Sequence, residues 1–223
     1  MRTMMNTTPL PQSCRFSDFH EAIDEQYVTE LAKIRLFDPC WTATWQPASQ
    51  QYFAKLFYHL RGHFHDFIWI LGNHAPDKAH KDVILANIAE EFGGDGQSHE
   101  ALYYRFAKAV GIADPISEMV QQPASLAFVD AFNQGHQNWL YCHDWLAKQA
   151  AFSAYERLDN LDYPSLLSLA ESFGLAKESL VFFQVHAKVS HFDATIAHLE
   201  TKWPQQPITI SDAFHFIYDH QLA

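Results

Sequence analysis

Residues 87–106 read NIAEEFGGDGQSHEALYYRF. Apolar residues recur at helical spacing up to Glu90 and Glu91, and Gly93, Gly94 and Gly96 then interrupt the pattern. Ser98 is a helix N-cap residue, and His99 opens the run that follows. The pattern predicts helix, tight turn, helix. It also brings acids and an imidazole to opposite sides of one turn, either as ordinary punctuation or as part of a metal site.

The same three- and four-residue spacing extends over nearly the whole chain, and period-two alternation is scarce, so the fold class is all-α. A helix is predicted over 17–34, entered through Ser17 and Asp18. Another covers 48–74, capped by Ser49 and bent at Gly62. A third begins near Pro76 and ends at Gly93-Gly94, and a fourth runs from Ser98 to Gly111. Residues 123–160 read as one long helix interrupted near Gly135, 163–175 as a short one and 176–203 as another long one. A final helix over 209–222 is capped by Ser211 and Asp212. No internal repeat is visible, and the connections are short. The expected organisation is a flexible N-terminal segment over 1–16 and one helical domain over 17–223.

Composition narrows the function classes. The formal net charge of −11 disfavours nucleic acid and anionic lipid as partners, since both need a basic surface. The longest apolar run, FIWILGNHA, is too short to span a bilayer, and no secretory signal is evident. Cys14, Cys40 and Cys142 are odd in number and form no CxxC pair, so neither a zinc knuckle nor a disulfide framework is suggested. A cytoplasmic protein is expected. The 14 histidines direct attention to metal or proton chemistry.

Three stretches set acids or imidazoles in apolar helical surroundings. They are the opening stretch with Glu90, Glu91 and His99; AAFSAYERLDN with Glu156; and LVFFQVHAKVSHFDATIAHL with His186, Ser190, His191, Asp193 and His198. On one continuous helix, 186, 190 and 193 share a face, while His191, Thr195 and His198 form a second stripe. The stripe after LVFF has the more apolar approach and is taken as the inward one. Carboxylates and imidazoles converging from separate helices bind iron or manganese and leave positions open for dioxygen. Each group also has an ordinary reading: Glu90 and Glu91 as solvated helix-end acids, Glu156 as a partner of Arg157 or Lys148, His186 as a core-edge histidine.

In order, NIAEEFGG…SHEALYYRF, AAFSAYE and FFQVHAKVS resemble the signature segments of heme-oxygenase-like proteins, over roughly residues 45–203. That grouping holds the TenA thiaminases, PqqC and the diiron oxidases and oxygenases related to CADD, and the last branch is the nearest in pattern. The resemblance implies a single-domain bundle of about seven helices around a central pocket, compatible with a homodimer. It implies metal ligands Glu91, His99, Glu156, His186 and Asp193, with Glu91, Glu156 and His186 catalytic. One or two iron ions, or manganese, would be the cofactor. The chain departs from the pattern in two places. The turn between Glu91 and His99 is one residue longer, and Ser190 and Asp193 stand where the family carries Asp and His.

The implied function is a nonheme-iron oxidase or oxygenase acting with dioxygen on a small organic substrate. His65, in FYHLRGHFHDF with His63, is a candidate polar group or proton donor in the pocket. The alternative is a metal-free enzyme of TenA or PqqC type, or a ligand-binding protein on the same scaffold. Cys142 has no neighbour that would activate it as a TenA nucleophile. Basic groups such as Arg61 and Arg105 are few for the polyanionic PqqC substrate.

Overall fold

The computed structural model describes residues 14–62, 64–94, 96–121, 127–188 and 193–223. Among them there is no strand, and eleven α-helices form one bundle. They are α1 (Phe16–Leu31), α2 (Pro39–Thr42), α3 (Pro47–Gly62), α4 (Phe64–His74), α5 (Lys78–Glu91), α6 (His99–Ala109), α7 (Ala127–Cys142), α8 (Trp145–Glu171), α9 (Val181–His186), α10 (Asp193–Lys202) and α11 (Pro207–Gln221). Eleven are described where about seven were expected: α2 is a short helix the sequence did not mark, and the residues described over 123–160 and over 176–203 each fall in two helices. Of the expected flexible segment, residues 1–13 lie outside the described chain, and Phe16 is buried as the first residue of α1.

Helix α8 organises the bundle. Its residues 150–156, Ala-Ala-Phe-Ser-Ala-Tyr-Glu, are all buried, so this helix is enclosed on every side rather than amphipathic. The small side chains of Ala150, Ala151, Ser153 and Ala154 let neighbouring helices approach, and α8 packs against α4, α9, α10 and α11. Two apolar clusters result. One joins α1, α4, α8 and α11 through Phe19, Tyr27, Phe67, Phe152 and Phe214. The other joins α3, α6, α8 and α9 through Phe53, Phe57, Phe106, Tyr163 and Phe183. No helix among the described residues is long and apolar enough to cross a membrane.

Several predicted boundaries move, each for a local reason. The span expected as one helix over 48–74 is helical on both sides of residue 63, which lies outside the described residues, as α3 and α4, and Ser49 lies inside α3 rather than capping it. The interruption expected at Gly135 falls at residues 143–144 instead. There Asp144 starts α8 by accepting a hydrogen bond from the Ala147 amide at 2.9 Å. Gly135 stays helical; a Cβ there would meet His220 at 3.4 Å. The separate helix expected over 163–175 is the end of α8, which runs through Pro164 to Glu171. Packing along α8 outweighs the one backbone donor that proline removes. Ser211, expected as a cap, lies within α11, which begins at Pro207.

The correction that matters most for the site concerns 176–203. The described residues there give α9 and α10 rather than one long helix, with Ala187 and Lys188 in a turn. The shared face inferred for positions 186, 190 and 193 assumed an unbroken helix, and position 190 and the Asp193 side chain lie outside the described residues.

Polar contacts tie α1 to the two helices behind it. Buried Asp24 accepts from Arg157 Nε at 2.7 Å and from the Tyr218 hydroxyl. Asp24→Ala leaves the Tyr218 hydroxyl and the half-buried guanidinium without their shared acceptor. The expected loss is about 2–3 kcal/mol, read from urea unfolding. A loss under 0.5 kcal/mol would show that the contact contributes little.

Candidate metal centre

Three of the predicted residues meet at helix ends. Glu91 is the last residue of α5, His99 the first of α6, and His186 the last of α9. One donor atom from each lies within 4.8 Å of the other two. The turn between Glu91 and His99 depends on Gly93, whose φ of +106° is open to glycine; a Cβ there would sit 2.7 Å from the Ser98 amide nitrogen. Ser98 then caps α6 through the Ala101 amide at 3.1 Å. Of the two adjacent acids, Glu90 is exposed and Glu91 is turned in toward His99.

The protonation states suit metal ligation. Burial alone would raise the Glu91 carboxyl, but the imidazoles of His65 and His99 outweigh it and hold the group well below the usual carboxylate range. His99 Nδ1 lies 3.0 Å from Glu91 Oε1, and His65 Nε2 is 3.7 Å from Oε2. His186 behaves oppositely: burial, then the charge of His99, pushes its pKa down to about 3, so the ring is neutral. Its Nδ1 faces the Phe182 carbonyl at 2.8 Å, which fixes the proton on that nitrogen and leaves a lone pair on Nε2. Tyr163 stacks on the His186 ring at 4.5 Å and 16°, and Phe182 packs at 4.4 Å. His99 meets His186 edge-on at 4.4 Å.

These three donors stand in the wall of a cavity of about 380 Å³, a usual size for a small-molecule site. Tyr58, His59, Tyr103, Asn133 and Asp159 line it further. Three buried polar atoms in this wall have no hydrogen-bond partner: the Tyr163 hydroxyl, His59 Nε2 and Asn133 Oδ1. Such atoms are costly to bury unless something else satisfies them.

The other predicted residues are placed differently. Glu156 is 3% exposed and lies outside the three-residue cluster. Burial, then the charges of Asp159 and Glu91, push its carboxyl well above the ordinary range, so it is neutral. Asp193 opens α10, and its side chain, with Ser190, His191 and His63, lies outside what the structure describes. His65 stacks on Phe92 at 4.9 Å beside Glu91, in the cavity wall where the sequence reading put it. Cys142 is exposed and lines no part of the cavity.

Sequence reasoning missed Asp159 and Tyr163, although they lie three and seven residues beyond Glu156 on the same helix, a spacing that repeats one face. Asp159 pairs with Arg61 Nη2 at 2.8 Å, while Arg61 Nη1 donates to the Tyr155 hydroxyl at 2.6 Å. The guanidinium also lies over the rings of Tyr155 at 4.9 Å and Tyr163 at 5.2 Å. Three residues beyond Asp159 on α8, Asp162 accepts from the Tyr27 hydroxyl at 2.7 Å, and burial raises its pKa to about 7.

Residues 51–201 match the family of iron-containing redox enzymes, and the chain belongs to that family, within the heme-oxygenase-like superfamily. The matched span runs from α3 to α10 and contains Glu91, His99, Glu156 and His186. A comparison with curated proteins gave no match.

Two outcomes are expected. Gly93→Ala forces a positive-φ alanine against backbone, so stability should fall by about 2 kcal/mol with weakened metal uptake, read by urea unfolding and metal titration. An unchanged unfolding midpoint would contradict this account of the turn. Asp162 has a folded-state pKa raised from 3.8 to about 7. The folded state therefore holds a proton that the unfolded state has released between those values, and stability falls as pH rises through that window. Asp162→Asn keeps the acceptor for Tyr27 and removes this slope. The variant should gain about 3 kcal/mol relative to the parent between pH 4 and pH 8, measured by chemical denaturation at both. A pH-independent difference would refute it.

Proposed function

We propose that the chain is a nonheme-iron oxidase or oxygenase that uses dioxygen against a small organic substrate held beside Glu91, His99 and His186. The observation that carries this reading is one ionised carboxylate and two imidazoles, delivered by three helix ends to the wall of a cavity, in an iron-containing redox family. The donor set fits the metal. Two imidazoles and one carboxylate match the 2-His-1-carboxylate arrangement that binds iron(II) and leaves positions open, and manganese(II) accepts similar donors. Against the effect of burial, Glu91 raises the pKa of His99, so metal binding there would displace a proton. Bound iron would supply the one-electron steps by which triplet dioxygen reacts with an organic molecule.

The protein's own residues prepare that chemistry. The Phe182 carbonyl holds His186 in the tautomer that presents Nε2, and Tyr163 and Phe182 clamp the ring. His65 and His99 keep Glu91 ionised despite its burial. His65, on the opposite oxygen from His99, is placed to move a proton at the cavity wall. Tyr103 and Phe182 would pack against the substrate's carbon skeleton. Glu156, neutral and buried within electrostatic range of Glu91, is the candidate carboxylate for a second ion. An incoming cation would favour release of its proton. Asp193, at the start of α10, is the remaining oxygen donor implied by the resemblance.

A second reading, a metal-free enzyme or binding protein on the same scaffold, draws on the cavity itself, whose size suits an organic ligand with or without iron. One experiment separates the two. Anaerobic loading with Fe(II), followed by elemental analysis, should give one equivalent or more. Glu91→Ala or His186→Ala should bind less than a tenth as much, and Glu156→Ala should lower the ratio only if two ions bind. Less than a tenth of an equivalent in the parent, unchanged by Glu91→Ala, would overturn the iron reading. Iron loading should also raise the thermal midpoint in the parent alone, because ligand bound only to the folded state stabilises it.

A further inference from the structure

A second and larger cavity, of about 660 Å³, lies on the other side of α3 from the metal centre. Its walls come from α1, α2, α3, α7, α8 and α11 and are largely aromatic: Phe37, Trp41, Trp45, Phe53, Phe57 and Phe132. Tyr52 and Phe128, both more than half exposed, mark its rim. Arg61 is the one residue shared with the metal-side cavity.

The charges in this wall do not balance. Arg61 contributes one positive charge, and it is already committed to Asp159 at 2.8 Å and to the Tyr155 hydroxyl at 2.6 Å. Asp162 contributes a carboxyl whose hydrogen bond comes from a neutral donor, the Tyr27 hydroxyl. A carboxylate ligand entering here would face Asp162 with the guanidinium already occupied. A cationic group would find the opposite: an acid at the inner end and ring faces around its path. Aromatic faces attract cations through their quadrupole, and Trp41 already takes the Arg35 guanidinium over its ring at 4.4 Å. The size admits a body of drug-like dimensions rather than a lone ammonium.

We propose that this cavity is a second binding site, distinct from the metal centre, for a hydrophobic organic amine whose ammonium group pairs with Asp162 and whose apolar body lies against Trp45, Phe53 and Phe57. The elevated pKa of Asp162 agrees with this, since an acid built for a cationic partner is destabilised as an anion when that partner is missing from its surroundings. The site does not depend on iron or on the reaction assigned to the other cavity.

The test uses three probes of equal length, octylamine, octanol and octanoate, titrated at pH 8 into the full chain and read by calorimetry and by quenching of tryptophan fluorescence. Octylamine should bind about tenfold more tightly than octanol, and octanoate more weakly than either. Asp162→Asn, which keeps the Tyr27 contact, should reduce octylamine to the octanol level and leave octanol unchanged. Ala48→Trp, at an exposed position of the wall, should weaken both by filling the cavity. Circular dichroism should show both variants folded. Octanoate binding as tightly as octylamine, amine preference surviving in Asp162→Asn, loss of octylamine binding in Glu91→Ala but not in Ala48→Trp, or no binding by any probe would each overturn the proposal.

Discussion

The half-buried ion pair between Arg61 and Asp159 governs the chemistry of the interior. Helix α8 carries three acids within two turns, Glu156 buried and Asp159 and Asp162 half-buried. One guanidinium from α3 is the strongest counter-charge they share. A buried cation can fully compensate one buried anion, and Asp159 takes it at 2.8 Å. The other two acids are driven up in pKa by burial, Glu156 to neutrality and Asp162 to about 7. Arg61 thereby separates two environments. On the metal side is a neutral carboxyl next to an ionised one, and on the far side an acid waiting for positive charge.

The metal centre solves a related problem differently. Glu91 sits at the C-terminus of α5, where the helix dipole disfavours an anion, and close to the N-terminus of α6, where the dipole favours it. The imidazoles of His65 and His99 decide the balance in favour of ionisation. His186 is kept neutral by burial and aimed by a carbonyl of its own helix. Helix ends are suited to this work, because their side chains can approach from several directions without the helices themselves colliding.

Much of this was legible from residue order. The break at Gly93-Gly94, the Ser98 cap and the positions of Glu91 and His99 on either side follow from turn and capping chemistry acting over a few residues. His186 was marked by its apolar approach, LVFF. Other features were not legible. The break between α7 and α8 falls at Asp144 because a local cap competes better than a glycine already accommodated by packing. The end of α9 in a turn at Ala187 and Lys188 is not visible to periodicity, which runs on through these residues. Asp159 and Tyr163 escaped notice because an acid and a tyrosine on a long helix are indistinguishable, in one dimension, from solvated residues.

The sequence by itself determined the all-helical class, the turn that joins Glu91 to His99 and the membership of the chain in an iron-redox family, since these rest on short-range periodicity, backbone sterics and local motifs. Only the tertiary structure decided that Glu91 rather than Glu90 faces inward, that His186 joins it, that Glu156 is neutral, and that Asp159 and Asp162 line two separate cavities. The reason is physical. Burial and the distance between charges on different helices set protonation and ligand geometry, and neither quantity exists until α3, α5, α6, α8 and α9 have packed.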